Sequence, residues 1–323
     1  MNMFQDALYT ILISLMMLLP STSTFVVSAQ ALQGCVSPEQ HQTQSYIFTP
    51  VSFISGEYML YGQIYHPVQL NQTYPLIVCC EGFAGYTNAY NHIPKKLAEH
   101  GYIAFIFDQP GQGNSEGDYP IRSLYLERLN LYIRPSLVIE TPKHFKQGEW
   151  IKTTKDAVTY MVNNSPVKEM IKKDRIGLIG HSLGGVTVTE AAEDERIKAV
   201  VSLSQSNPQS VERLTIPIQL QAGGLDISTS SISIQESSYK KAKPPKQLII
   251  ISRGTHIGFT TILPSHSQKP SWQKDISLGY ALAWFDYFLK DDQNALDNIT
   301  KTHPKLSRII HSRYNIDGEE NIL

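Results

Sequence analysis

Arg175-Ile176-Gly177-Leu178-Ile179-Gly180-His181-Ser182-Leu183-Gly184-Gly185 is the stretch on which the fold is decided. It begins as a short apolar run, as a buried strand does, and ends by opening a helical pattern over 183–193. Ser182 sits at the junction, with Gly180 and Gly184 two residues to either side. A serine on so sharp a strand-to-helix turn projects from the carboxyl edge of a sheet. The backbone closes there only if the flanking positions are nearly free of side chain. The helix opening also aims the Leu183 N–H above Ser182, one donor for a developing oxyanion. Five such residues alone also fit an ordinary glycine-rich turn; the strand before and helix after them favour a nucleophile.

Outward from this turn, apolar runs recur at 75–80, 102–108, 175–180, 197–203, 217–222 and 247–251. Helical patterns fall between and after them at about 92–100, 152–163, 183–193, 234–242 and 276–290. Near-continuous apolar strands separated by helix-length spacers predict a mainly parallel, doubly wound α/β sheet covered on both faces. In the last helix Leu278, Leu282, Phe285 and Leu289 are spaced as one apolar stripe. Before the parallel part, 45–54 and 57–66 are rich in Tyr, Ile, Phe and Val around Ser55-Gly56, which predicts an N-terminal antiparallel hairpin. After the strand ending near Asp108, residues about 117–148 are too long for a plain crossover and carry Pro120, Pro135 and Pro142. They are expected as an insertion over the top of the sheet, either a lid or a packed surface excursion.

A serine hydroxyl is a weak nucleophile near neutral pH, so a base must take its proton and a carboxylate must orient that base. Both belong at the ends of later strands. After 217–222 the chain reads Gly223-Gly224-Leu225-Asp226, and after 247–251 it reads Ser252-Arg253-Gly254-Thr255-His256. The order Ser182, Asp226, His256 is the one an elbow nucleophile predicts. His266 is the rival base, and Glu212 and Asp194 are weaker rivals to Asp226 because neither ends a strand. His181 is expected to point away from Ser182. A second oxyanion donor is expected from the turn Glu81-Gly82-Phe83, where Gly82 permits the tight bend that lets the Phe83 N–H face Ser182. Cys79 and Cys80 alternate across a buried strand and read as core. No metal-ligand spacing appears, and Gly111-Gln112-Gly113 lacks the third glycine and the helix of a dinucleotide loop, so no metal or cofactor is expected.

Composition excludes other classes. The 323 residues are 41% apolar and 18% charged with a net charge of −1, so the chain folds around a large core and has no electrostatic bias toward nucleic acid or an anionic surface. Three cysteines allow at most one internal disulfide. No charge occurs from Ala7 to Ala29, and Ala29-Gln30-Ala31 resembles a cleavage site, so 1–31 is expected as a signal peptide despite Asp6 and the absence of Lys or Arg before it. An uncleaved signal anchor is the alternative, and Leu32-Gln33-Gly34-Cys35 loosely matches a lipidation box. Asn71-Gln72-Thr73 and Asn298-Ile299-Thr300 are glycosylation sequons suited to an exported chain.

Together, Glu81-Gly82-Phe83, the turn from Asp108 through Pro110, Gly111 and Gly113 to Ser115, the Gly180–Gly184 elbow, Gly224-Leu225-Asp226 and Gly254-Thr255-His256 make the chain resemble the α/β-hydrolase superfamily from about 45 to 290. Gly223-Gly224-Leu225-Asp226, Gly254-Thr255-His256 and the helix bearing Gly279-Tyr280-Ala281-Leu282-Ala283-Trp284-Phe285 look like its dienelactone-hydrolase-like branch, which includes secreted cutinase-type polyester hydrolases. Glu81 stands where many relatives have His or Pro, and no Cys follows Cys80 where cutinase-type relatives often close a disulfide. Dienelactone hydrolases proper use a Cys nucleophile, so Ser182 argues against that activity. The resemblance implies an α/β-hydrolase fold and a secreted serine hydrolase of carboxylic esters acting through an acyl-enzyme on Ser182. Thioesters, lipid acyl esters and peptides would use the same machinery, and a non-catalytic binding protein on a hydrolase scaffold is the alternative from another class. The implied substrate is a small or lipid-like acyl ester, with no nucleic acid and no obligatory protein partner. The expected organisation is a signal peptide at 1–31, a linker at 32–44, the hydrolase domain at 45–290 and a C-terminal extension at 291–323.

Overall fold

The computed structural model describes residues 45–117, 147–226, 231–261, 270–314 and 320–322. The expected signal peptide, the lipidation-like box, nearly all of the 117–148 insertion and His266 lie outside them. Strands β1 (Tyr46–Ser55) and β2 (Tyr58–Pro67) form the expected antiparallel hairpin. Its two-residue turn is Gly56-Glu57, one residue later than the sequence indicated. Gly56 adopts φ 60, the positive value that tight hairpin turns demand at their centre.

The six apolar runs become β3 (Tyr74–Cys80), β4 (Ile103–Phe107), β5 (Ile171–His181), β6 (Ile197–Leu203), β7 (Ile218–Gly223) and β8 (Lys246–Ile251), all pairing parallel with one another. The full sheet is ten-stranded in the order β1-β2-β4-β3-β5-β6-β7-β8-β9-β10. Here β9 is Leu306–Tyr314 and β10 is Glu320–Ile322. From β3 the chain passes to β4 on one side, then crosses back to β5 on the other. That reversal opens a crevice at the carboxyl ends of β3 and β5, where ligands of open parallel sheets bind. This is an α/β-hydrolase fold with an N-terminal antiparallel hairpin.

Both faces of the sheet are buried, which explains the near-continuous apolar runs. Leu76, Val78, Phe105, Phe107, Leu178, Val200 and Leu220 face one core, shared with helices α2 (Gln147–Asn163), α3 (Leu183–Ala191) and α4 (Pro208–Arg213). Ile77, Cys79, Ala104, Ile106, Ile179, Val201 and Ile249 face the other, with α1 (His92–Glu99) and α6 (Ser271–Leu289). Helix α5 (Ser231–Lys241) lies against β7 and β8. Cys79 and Cys80 fall on opposite faces as free, buried thiols; burial pushes the Cys80 thiol up to about 12, so it packs as an inert apolar group.

Helix α6 departs from the single stripe expected of it. Trp284 and Phe285 are fully buried, and Tyr280, Ala281 and Ala283 nearly so. The reason lies after residue 290. Helix α7 (Ala295–Thr300) packs on α6, and β9 adds an antiparallel strand beside β8. His311 on β9 meets the Trp284 ring edge-on at 5.9 Å. Residues 291–323, expected as an extension, thus bring α7 and two strands to the same sheet. Among the described residues no helix is long and apolar enough to cross a membrane.

Gly177 lets α6 approach the sheet closely: a Cβ there would stand 2.8–3.0 Å from Ile77, Phe285 and Leu289. Removing the fully buried Phe285 ring leaves a cavity at this contact, which for buried aromatics costs about 3–5 kcal/mol. Phe285→Ala is therefore expected to lower unfolding free energy by that amount in urea titration; a loss below about 1 kcal/mol would contradict the packing described.

Candidate active site

The site begins with register. In the β3–β5 pairing Cys80 lies opposite Gly180, so the turns after these strands, Glu81-Gly82-Phe83 and His181-Ser182-Leu183, leave the sheet side by side. Ser182 adopts φ 55, ψ −121, a conformation that L residues rarely hold. Its glycines are required by contact. A Cβ on Gly180 would run into the backbone of Gly184, and one on Gly184 into the carbonyls of Cys80 and Glu81. The Ser182 N–H donates to the Leu203 carbonyl at 2.9 Å, tying the elbow to the end of β6.

The loops after β7 and β8 are bonded to each other in the same way. Gly224 N–H donates to Ile251 O and Leu225 N–H to Gly254 O, both at 2.7 Å. A Cβ on Gly223 would stand 2.6 Å from the Gly254 carbonyl, so glycine allows this approach. The pairing brings Asp226 and His256 together over Ser182. His256 Nδ1 lies 2.9 Å from Asp226 Oδ2, and its Nε2 lies 2.9 Å from Ser182 Oγ. A carboxylate only accepts, so Nδ1 carries the proton and Nε2 is left to receive that of the serine hydroxyl. Ser182 and Asp226 are buried, and the His256 side chain is 11% exposed, enough to meet a ligand at the rim.

The rival carboxylates lie elsewhere. Asp194 is held by Arg196, which keeps its carboxyl below the usual range, and exposed Glu212 pairs with Lys241. His181 corrects an expectation, since its ring stays in the site at 4.7 Å from the His256 ring, with Phe259 beyond it at 5.5 Å. Burial, then the neighbouring His256, holds its pKa well below the ordinary imidazole value, so it stays neutral. Its Nδ1 meets the Tyr90 hydroxyl at 2.9 Å, and that hydroxyl accepts from the Gly82 N–H at 3.2 Å. Tyr90 therefore joins the turn after β3 to the residue preceding Ser182.

That turn has an acidic base of its own. Glu81 is fully buried, and its Oε1 accepts from Gln109 N–H at 3.0 Å and from Gln112 Nε2 at 2.5 Å. Gln112 Nε2 also reaches the Gly82 carbonyl at 3.3 Å. Asp108, nearby, spends its two oxygens on the N–H groups of Thr87 and Asn114. Burial first and the Asp108 charge second raise the Glu81 pKa well above the carboxylate range. On the open side, Phe83 packs with Trp150 and Leu183, an apolar wall beside the nucleophile position. Tyr90, Gln112 and Trp150 were missed in the sequence because each acts through a partner distant in the chain. Among the described residues no group of three or more His, Cys, Asp or Glu is arranged to hold a metal ion.

Residues 75–222 match the family model for the alpha/beta hydrolase fold, in agreement with the order of the sheet. The similar proteins include a cutinase, a terephthalate hydrolase and an acetylhydrolase. The chain is 23% identical to cutinase est1 of Thermobifida alba over 238 residues, 72% of this chain and 66% of that protein. It is 21% identical to the bis(hydroxyethyl) terephthalate hydrolase of Streptomyces coelicolor over 236 residues, 72% of this chain and 63% of that protein. It is also 26% identical over 176 residues to the platelet-activating factor acetylhydrolase of Canis lupus familiaris, 47% of this chain and 40% of that protein. The chain thus spans between two fifths and two thirds of the length of these relatives.

Glu81 is expected to shape the pH dependence of stability. Its carboxyl ionises more readily in the unfolded chain than in the fold, so its contribution is full at acid pH and declines as pH rises above the ordinary carboxylate range. Glu81→Gln preserves the acceptor oxygen and removes that decline. Urea titrations between about pH 5 and about pH 8 should show the variant gaining stability relative to the native protein; parallel profiles would mean that Glu81 is ionised in the fold.

Proposed function

We propose that the protein is a serine hydrolase of carboxylic esters, with Ser182 as nucleophile, His256 as general base and acid, and Asp226 as its orienting carboxylate. The observation that carries this is the unbroken row from Asp226 Oδ2 through His256 to Ser182 Oγ, with 2.9 Å at each hydrogen bond. The relatives named as a terephthalate hydrolase, a cutinase and an acetylhydrolase support esters as the substrate class.

In the first half-reaction the Ser182 proton passes to His256 Nε2 as Oγ bonds to the substrate's carbonyl carbon. The carbonyl π pair moves onto its oxygen, which receives hydrogen bonds from the N–H groups of Phe83 and Leu183. Collapse of this intermediate breaks the bond to the alcohol oxygen, which takes the proton back from Nε2. Water then repeats the sequence on the acyl-enzyme and releases the acid. Asp226 stabilises the imidazolium formed in each step without taking its proton. The wall of Phe83, Trp150 and Leu183 supports an apolar acyl or alcohol group beside the reacting carbon. Export belongs to the same proposal. It is supported by the uncharged run from Ala7 to Ala29, and Asn71 and Asn298 in the two sequons are both exposed.

A fluorophosphonate probe added to the exported protein is expected to label Ser182, in a chain whose first peptide begins at Leu32. Label should vanish in Ser182→Ala, and p-nitrophenyl ester turnover should fall by about 10⁴-fold in Asp226→Asn without loss of folding. Absence of label on folded protein would favour the binding-scaffold alternative, and full activity in Asp226→Asn would remove that residue from the mechanism. Comparing esters of increasing chain length with a thioester defines the acyl group.

A further inference from the structure

We propose that Gln273, on α6, is a positioning residue that sets the His256 loop for proton transfer; the inference rests on the hydrolase reading above. Gln273 is fully buried, and its carboxamide grips both polar groups of one residue. The Thr255 N–H donates to Gln273 Oε1 at 2.8 Å, and Gln273 Nε2 donates to the Thr255 carbonyl at 2.9 Å. Thr255 immediately precedes His256. A primary amide is the side-chain group that can pair with an N–H and a C=O together, as a neighbouring strand would.

The loop is shaped around this side chain. A Cβ on Gly258, two residues beyond His256, would collide with the Gln273 carboxamide, and one on Gly254 would stand 3.1 Å from its Cδ. Two glycines therefore flank His256 where the amide enters. The far end of the loop is fastened separately, since the Thr261 N–H and hydroxyl both reach the Ala89 carbonyl, at 2.8 and 3.0 Å.

The helix that carries Gln273 is itself registered on the sheet. Gln219 Nε2 donates to the Tyr280 carbonyl at 2.9 Å, and Gln221 Nε2 to the Ser277 carbonyl at 3.0 Å, both within α6. Gln219 and Gln221 project from β7, the strand whose end leads to Asp226. The orienting carboxylate and the clamp on the base loop thus refer to one rigid element. Gln273 touches no reacting atom. It acts on the imidazole through the peptide that precedes it, and small displacements of a base are enough to cost catalysis heavily.

The test uses the whole chain with Gln273→Leu, close in size but unable to pair with a peptide, and Gly258→Ala, which displaces the amide from the opposite side. Both are expected to lower kcat for p-nitrophenyl acetate by about 10- to 100-fold, with KM within about twofold, and to slow fluorophosphonate capture equally. Rates are divided by folded protein from the unfolding transition, so a merely structural role disappears on normalisation. Normalised kcat within about twofold of native in Gln273→Leu, with capture at native speed, overturns this inference alone. A native protein that takes no label at Ser182 overturns the hydrolase reading and this inference with it.

Discussion

The site depends on a backbone conformation that Ser182 would not adopt by itself. A non-glycine residue at φ 55, ψ −121 carries a local cost of about 1–3 kcal/mol, which surrounding structure has to offset. Here the offset is visible on three sides. Strand β5 is paired on both edges, by β3 and β6, up to the last residues before the turn. Helix α3 begins at Leu183, and the Val186 N–H already donates to the Ser182 carbonyl at 3.1 Å. Gly180 and Gly184 let these elements close upon one another. The strain thus aims the hydroxyl out of the sheet edge with little freedom to move elsewhere.

Around this fixed point the fold repeats one device, adjacent parallel strands releasing adjacent loops. The β3 and β5 turns leave together, as do the β7 and β8 loops, and each pair is cross-linked. Tyr90 joins the first pair and backbone bonds the second, while Gln273 holds the β8 loop from α6. His181, packed against the His256 ring, is held neutral by burial. A carboxylate, Asp226, faces the base directly, so the field at its ring is dominated by the residue that orients it.

Much of this was legible in the sequence because the physics that fixes it is local. A strand buried on both faces needs no polar alternation, and β3, β4 and the later parts of β5, β6 and β8 read as apolar runs; β7 alternates, its buried Gln219 and Gln221 bonding to α6. The elbow announces itself by paired glycines, and Asp226 and His256 stand just after glycines at strand ends. What escaped is tertiary. Leu306–Tyr314 carries Ser307, Arg308, His311 and Ser312 among its apolar residues, so nothing in its composition sets it beside β8. Without that strand and α7, α6 reads as a one-sided helix, although Trp284 is enclosed. Gln273 lies before the helix expected at 276–290, and nothing in the sequence sets it against Thr255. Helix α4 was available to a closer reading, since Asn207 caps it and Pro208 opens it, but it has only six residues and no periodicity to reveal it.

A crystal structure of the protein after reaction with a phosphonate ester tests the central claim most directly. The account predicts phosphorus bonded to Ser182 Oγ, the phosphoryl oxygen within hydrogen-bonding distance of the Phe83 and Leu183 amides, and the His256 imidazole still bridging to Asp226. Phosphorus on another side chain, or an imidazole turned away from residue 182 in the adduct, would contradict it.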